Sequence, residues 1–317
     1  MLDSTRTPKM AANIGTLLGN LVGALLRTVL TDEQLVAWGW RIPFLSGILI
    51  AFVAVYLRFC GEEHHPNAGE YDAANEEGRD GNGEPVQVKH PLREAIREEN
   101  LPALCSATLT PMLYGAGFYT SFVWMAIFME TLIDPPIENA FWVNAMSLFF
   151  GVVLILPLAG MLSDHFGRTR TMLVGALGLG IAGPFMLIII SLGDAVDAFF
   201  AQWTIGLFLS LFGGPMNAWL VEKFPPKVRL TSAALGYDLA HCTASAFSPL
   251  IATLLVQNVG PKAPGIIIYP FYAVVAMIGM GFATKIHHDG GLDDNVDSTD
   301  DDEQTDLNGD YACPPLI

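Results

Sequence analysis

Eight long apolar runs constrain the fold of this 317-residue sequence more than any other feature. They occupy approximately residues 10–30, 40–59, 101–130, 140–162, 171–192, 198–221, 230–256 and 264–284. An α-helix needs about 20 residues, at ~1.5 Å each, to cross the hydrocarbon of a bilayer. Backbone polar groups in hydrocarbon must bond to one another, and these runs do not alternate as barrel strands do. The sequence therefore predicts an all-α, polytopic membrane helical bundle.

Composition supports this class and excludes others. Hydrophobic residues make up 52% of the chain and charged residues only 15%, against about 25% charged in a soluble domain. The net charge of −16 is concentrated, because 11 of the 32 acidic residues lie in 61–100 and 10 lie in 285–317. No basic stripe is present, so we expect no nucleic-acid partner.

The two acidic segments indicate how the chain is organised. We expect residues 1–60 to hold two helices, 61–100 a cytoplasmic acidic linker, 101–286 a six-helix bundle, and 287–317 a disordered acidic tail. The acidic segments are candidate binding sites for cytoplasmic partners. The tail lacks the ligand spacing of an EF-hand, so no metal site is predicted.

Lysine and arginine predict the orientation in the bilayer. With the N-terminus in the cytoplasm, 13 of the 16 basic residues lie inside, and Arg27, Arg41 and Lys262 lie outside. We therefore expect a multi-pass integral protein with both termini cytoplasmic, in the plasma membrane in preference to an organelle.

The most specific motif joins the fourth and fifth runs. Glycines there permit close helix approach and a turn with positive φ, and an acid at a helix end can pair with a base or with a helix N-terminus. Such a cluster can latch one helix against another, although an ordinary positive-inside loop has similar residues. The gating residues of this motif are Gly160, Leu162, Asp164, Gly167, Arg168 and Arg170.

This loop resembles the signature of the major facilitator superfamily, Gly-x-Leu-x-Asp-Arg-x-Gly-Arg, with His165 where that pattern prefers Arg. Residues 37–44 (Ala-Trp-Gly-Trp-Arg-Ile-Pro-Phe) and 224–232 (Phe-Pro-Pro-Lys-Val-Arg-Leu-Thr-Ser) are similar to stretches of its metabolite:proton symporter family, the proline/betaine, α-ketoglutarate and citrate carriers. The second of these stretches belongs to a cytoplasmic loop whose candidate residues are Glu222, Pro225 and Arg229.

The resemblance covers about residues 8–287 and aligns the eight runs with helices 5 to 12 of a twelve-helix fold. It implies a partial major facilitator fold that moves protons and a small organic solute by rocker-switch alternating access. We expect a truncated carrier, with a genuine remnant as the alternative. A sugar porter is disfavoured, because residues 60–65 (Cys-Gly-Glu-Glu-His-His) replace its Pro-Glu-Ser motif.

Small residues in the first run predict a packing face. Gly15, Gly19 and Gly23 recur at four-residue intervals and allow close backbone contact. The resemblance implies that this helix packs against the other bundle, so the glycines are candidates for a sliding interface. Tight packing within one bundle is the alternative.

Polar residues inside membrane helices are costly and therefore informative. Asp238 and His241 are one helical turn apart and suit proton binding and release, although a water-exposed position in a cavity explains them equally. Tyr119 and Trp124 suit cation–π binding of a quaternary ammonium, or ordinary packing. Asn144, Gln202 and Asn217 are further pore-lining candidates, with a hydrogen bond to a neighbouring helix as the alternative for each. The candidate substrate and proton site comprises Asp238, His241, Tyr237, Tyr119, Trp124, Asn144 and Asn217.

Two function classes remain. The first is a secondary carrier of a small organic solute, and the second is a non-transporting membrane subunit that binds partners through its acidic segments. An enzyme is the least supported class, because no nucleophile–base pair, phosphate-binding loop or cofactor motif is present.

Overall fold

The computed structural model describes residues 7–60, 100–223 and 229–293, and every regular element in these ranges is helical. The linker residues 61–99, the loop residues 224–228 and the tail residues 294–317 lie outside the described ranges. We number eight helices: α1 Thr7–Val29, α2 Arg41–Cys60, α3 from Leu101, α4 from Ala140, α5 Arg168–Ile190, α6 Ala195–Lys223, α7 from Arg229 and α8 Ala263–Asp293.

Three of these helices contain wider π-helical turns, which often lie at functional sites. These π turns interrupt the i to i+4 hydrogen-bond pattern, but the helical backbone continues on both sides of each one. α3 has π turns at Tyr119–Trp124 and Phe128–Leu132, α4 has one at Phe149–Val153 before it resumes over Ile155–Phe166, and α7 has one at His241–Ser245 before Ala246–Asn258.

Six helical stretches among the described residues are long and apolar enough to cross a membrane. This confirms the all-α membrane class and the last six predicted runs, whereas α1 and α2, with 23 and 20 residues, stay predicted spans. The six stretches are Leu101–Leu132, Ala140–Phe166, Arg168–Ile190, Ala195–Glu222, Ala233–Asn258 and Ala263–Ala283.

α8 continues as a helix to Asp293, seven residues into the segment predicted as a tail. The division of the chain into two helices, linker, six-helix bundle and tail stays a prediction. Residues 294–317 of the predicted tail are outside the described chain.

The core lies among α3 to α8, where α5 packs on α6 and on α8, and α3 packs on α7 and α8. Its largest fully buried side chains include Phe122, Phe212, Trp219 and Tyr269. α2, by contrast, is exposed at every position whose side chain the structure describes, with Phe52 at 68% and Phe59 at 81%. The candidate functional site described below therefore lies in the bundle of α3 to α8, and α1 packs beside that bundle.

α1 lies against α4. A Cβ at Gly23 would lie 3.6 Å from the Phe141 ring, whereas a Cβ at Gly15 or Gly19 would have no atom within 4 Å among the described residues. The sliding interface of the three glycines stays a prediction.

Gly175 provides a test of this packing. A Cβ at Gly175 of α5 would lie 2.5 Å from the Phe212 backbone nitrogen of α6. We expect Gly175→Ala to lower the free energy of unfolding by about 1–3 kcal/mol, because backbone must move. The measurement is SDS-induced unfolding in mixed micelles.

Gly19→Ala is the matched control, since its Cβ enters open space. It should leave stability unchanged or raise it slightly, because alanine is the better helix former. Equal losses in the two variants would contradict the close α5–α6 contact.

Candidate functional site

The motif after the fourth run forms a tight turn between α4 and α5. α4 ends at Phe166, and Gly167 has φ +91°, a conformation that favours glycine. Arg168 then begins α5, one helical turn after Asp164. Gly167 therefore adopts the positive φ predicted from the sequence. The turn places Asp164 on one side and Arg168 on the other.

Arg168 forms an ion pair between the two predicted cytoplasmic loops, the α4–α5 turn and the loop that follows α6. Its Nη1 lies 2.8 Å from Glu222 Oε1 near the end of α6, and its Nη2 lies 4.0 Å from Asp164 Oδ1. We call Asp164, Arg168 and Glu222 the inner ion cluster. Residues predicted from two separate motifs thus meet at one end of the bundle.

Close helix contact and one hydrogen bond support this cluster. A Cβ at Gly214 of α6 would lie 3.0 Å from the backbone nitrogen of Gly160, so small residues let α4 and α6 approach there. The buried Trp219 donates its indole N–H to the Thr169 hydroxyl oxygen at 3.0 Å. α6 therefore holds the turn by a neutral bond as well as by an ion pair.

The other predicted loop residues occupy varied positions. Leu162 and Arg170 are exposed beside the turn. Arg229 is the first residue of α7, and Pro225 lies outside the described residues. Within residues 37–44, Arg41 donates to the Ala37 carbonyl oxygen at 2.6 Å and stands over the Trp40 ring at 4.6 Å, which stabilises the turn before α2.

α1 carries a polar stripe that the sequence analysis missed. Asn13, Asn20 and Arg27 are spaced seven residues apart, so they share one helix face. Asn13 donates to the Tyr114 hydroxyl oxygen at 3.3 Å, and Asn20 accepts from Asn144 at 2.7 Å. The signal was in the sequence as regularly spaced polar residues in an apolar helix.

Arg27 anchors the C-terminal end of α1, at the other end of the bundle from the inner ion cluster. It forms an ion pair with Glu130 of α3, and its guanidinium lies 4.5 Å from the centre of the Phe141 ring. The Trp142 indole N–H donates to the Thr28 hydroxyl oxygen at 3.3 Å. These contacts hold α1 to α3 and α4 at the end predicted to face outward.

Four predicted solute residues lie on two helices that pack together: Tyr119 on α3, and Tyr237, Asp238 and His241 on α7. The Tyr237 and His241 rings stack at 4.1 Å, and a ring nitrogen of His241 lies 3.1 Å from the Tyr237 carbonyl oxygen. A Cβ at Gly115, one turn before Tyr119 on α3, would lie 3.9 Å from a ring carbon of His241. Asp238 is exposed and Tyr119 is 39% exposed. We call these four residues the tyrosine cluster.

Three other predicted solute residues lie elsewhere. Trp124 is 5% exposed, donates to the Thr253 hydroxyl oxygen at 2.9 Å and stacks on Phe128. Asn144 is fully buried within a chain of amide hydrogen bonds. Asn217 is half-buried on α6.

The Arg168–Glu222 pair is testable by a double-mutant cycle. Their side chains are 23% and 56% exposed, and partly exposed pairs are worth at most about 1 kcal/mol. We expect Arg168→Gln and Glu222→Gln to show a coupling free energy of roughly 0.5–1 kcal/mol in SDS-induced unfolding, reduced by added salt.

Arg170→Gln, combined with Glu222→Gln, is the control, because Arg170 is exposed on the same turn. Its coupling with Glu222 should be near zero. Equal coupling for both arginines would mean that Glu222 responds to the general positive charge of the loop instead of to Arg168.

Comparisons with known proteins agree with this arrangement of motifs. The chain is 29% identical over 270 residues to the Escherichia coli (strain K12) inner membrane metabolite transport protein YhjE, covering 82% of this chain and 57% of that relative. It is 24% identical over 271 residues to the proline/betaine transporter of Salmonella typhimurium, covering 84% and 52%. It is 28% identical over 257 residues to the citrate-proton symporter of Klebsiella pneumoniae, covering 77% and 52%.

The chain thus spans somewhat more than half the length of these curated relatives. The sequence profile of the Major Facilitator Superfamily matches residues 9–235 and 112–298, which together include nearly all the described helices. These matches agree with the resemblance seen in the three motifs, and the six membrane-length helices agree with a multi-pass protein. This chain is a multi-pass integral membrane protein that belongs to the Major Facilitator Superfamily.

Proposed function

We propose that this chain forms part of a secondary carrier that moves a small zwitterionic solute together with protons. The observation that carries the proposal is the stacked pair Tyr237–His241 on α7, packed against α3 and next in the chain to the exposed acid Asp238. An ionisable group in such a helix is costly unless it serves a ligand, an ion path or a partner. Relatives named as proline/betaine transporters support a solute of this kind.

The aromatic rings are suited to the cationic head of the solute. Tyr119 on α3 is 39% exposed, and Tyr237 on α7 directly precedes the exposed carboxylate Asp238. A quaternary ammonium placed over such faces gains cation–π energy that increases as water is excluded. The negative charge of Asp238 attracts the same head, so betaine fits the cluster better than a polyanion such as citrate.

Asp238 is our candidate for the coupling proton. A carboxylate changes charge when it binds a proton, so its protonation can alter how the two helices approach each other. Solute and proton sites would then be adjacent, with the rings holding the ammonium group and the acid holding the proton.

The ion pairs at the two ends of the bundle are our candidates for the gates of the carrier. The inner ion cluster ties α4 and α5 to α6, and Arg27 with Glu130 ties α1 to α3 at the other end. With 13 basic residues predicted inside and three outside, the inner cluster faces the cytoplasm, and the expected location is the plasma membrane. In rocker-switch access, contacts at one end break as contacts at the other end form.

Solute binding is tested at Tyr119. Tyr119→Leu removes the ring and should weaken binding of radiolabelled betaine to the purified chain about 10-fold, a typical cation–π contribution at a desolvated site. Tyr119→Phe retains the π face and should stay within about three-fold of the parent. Equal binding by the Leu and Phe variants would exclude the aromatic contact.

Proton coupling is tested at Asp238. In proteoliposomes with an imposed pH gradient, Asp238→Asn should abolish the dependence of betaine uptake on that gradient, because the amide cannot carry the proton. Asp197→Asn, at an exposed acid in the first turn of α6, is the control and should keep the dependence. A gradient dependence that survives in Asp238→Asn would remove this residue as the coupling group.

A further inference from the structure

Side-chain amides from two helices reach the backbone of the π turn Tyr119–Trp124 in α3. Gln202 of α6 donates to the Ser121 carbonyl oxygen at 2.6 Å. Asn144 of α4 donates to the Phe122 carbonyl oxygen at 2.9 Å. Both amide side chains are fully buried. Such bonds stabilise a widened turn, because hydrocarbon supplies no other donor to carbonyl groups that the helical ladder satisfies poorly.

The two amides also bond to each other and to α1. Gln202 donates to the Asn144 side-chain oxygen, and Asn144 donates to the Asn20 side-chain oxygen at 2.7 Å. Both N–H groups of Asn144 and both N–H groups of Gln202 therefore have acceptors. We call Asn20, Asn144 and Gln202 the amide chain. An Asn144 side chain engaged in this way holds structure in place instead of meeting solute.

The π turn decides where Tyr119 points. Tyr119 is its first residue and is 39% exposed, whereas Thr120 and Ser121, which follow it, are fully buried. A π turn contains one residue more than the α-helical turn it replaces, so relaxation to an α-helix rotates neighbouring side chains by about 100°. Such a rotation would exchange the environments of Tyr119 and the residues beside it.

We propose that Gln202 and Asn144 are positioning residues that hold the π turn of α3 and so direct Tyr119 toward the members of the tyrosine cluster on α7. Asn20 connects α1 to the same bonds, so the docking of α1 and the direction of Tyr119 depend on one hydrogen-bonded chain. The consequence for solute binding rests on the proposed function, whereas the hydrogen-bonded turn does not.

The turn is tested by thiol labelling, which needs no solute. In a background with the four native cysteines replaced by serine, Tyr119→Cys and Thr120→Cys are labelled separately with a water-soluble maleimide in detergent. The ratio of the two rates reports the register of the turn. Gln202→Met keeps the side-chain length without the donors, and it should lower this ratio at least about five-fold, the population change that one buried hydrogen bond produces.

Ser210→Ala is the matched control. Ser210 is also fully buried on α6, and it donates at 2.9 Å to the Gly151 carbonyl oxygen in the π turn of α4. Its loss should leave the ratio unchanged. If Gln202→Met does not elute as a monodisperse protein, Gln202→Asn replaces it, because the shorter amide cannot reach both acceptors. An unchanged ratio in a folded Gln202 variant, or an equal fall in Ser210→Ala, would overturn the proposal.

Betaine binding supplies the second measurement. Gln202→Met should weaken binding about as much as Tyr119→Leu does, and the two changes together should cost no more than either alone, because they act on one side chain. Additive losses would overturn the positioning role. If the parent chain binds no betaine, the proposed solute is wrong, and the labelling ratio still decides whether the amides hold the turn.

Discussion

Hydrocarbon offers no hydrogen-bond partner, and this single constraint governs the structure from backbone to site. It makes every regular element of the described residues a helix. It also requires partners for the polar side chains that remain inside, and buried amides are costly when they lack one. The amide N–H groups of Asn144 and Gln202 bond to neighbouring amide oxygens and to carbonyl groups of the α3 π turn, whereas Gln202 Oε1 has no hydrogen-bond partner among the described residues. The irregular backbone and the buried amides therefore depend on each other.

The described ion pairs lie at the two ends of the bundle, where they join helices from different parts of the sequence. Arg168 reaches Glu222 at one end, and Arg27 reaches Glu130 at the end where α1 meets α3. Partly exposed pairs of this kind are weak individually, so they can break and form at modest cost. The polar stripe of α1 adds contacts at intermediate depth, which makes α1 the helix whose docking most directly connects the two ends.

Much of the fold and the composition of the site could be predicted because their causes are local. Helix length and hydrophobicity depend on consecutive residues of one segment. The turn at Gly167 was also predictable, because few residues other than glycine adopt its positive φ. Asp238 was detectable as a carboxylate in an apolar run. The π turns were not, since a widened turn depends on bonds from residues such as Gln202 that are distant in sequence. The burial of Trp124 likewise depends on a distant residue, because its indole N–H donates to the Thr253 hydroxyl oxygen.

The sequence by itself determined the class of protein, the number of candidate spans and the residues of the inner motif, because these follow from runs and spacings within single segments. Only the tertiary structure decided which polar residues are partly open, as Tyr119 is, and which are buried in hydrogen bonds between helices. Asn144 and Tyr119 were equal candidates by sequence, yet one is enclosed by amide bonds and the other is partly open. The physical reason is that burial and hydrogen-bond partners are properties of several helices together, and no single helix carries that information.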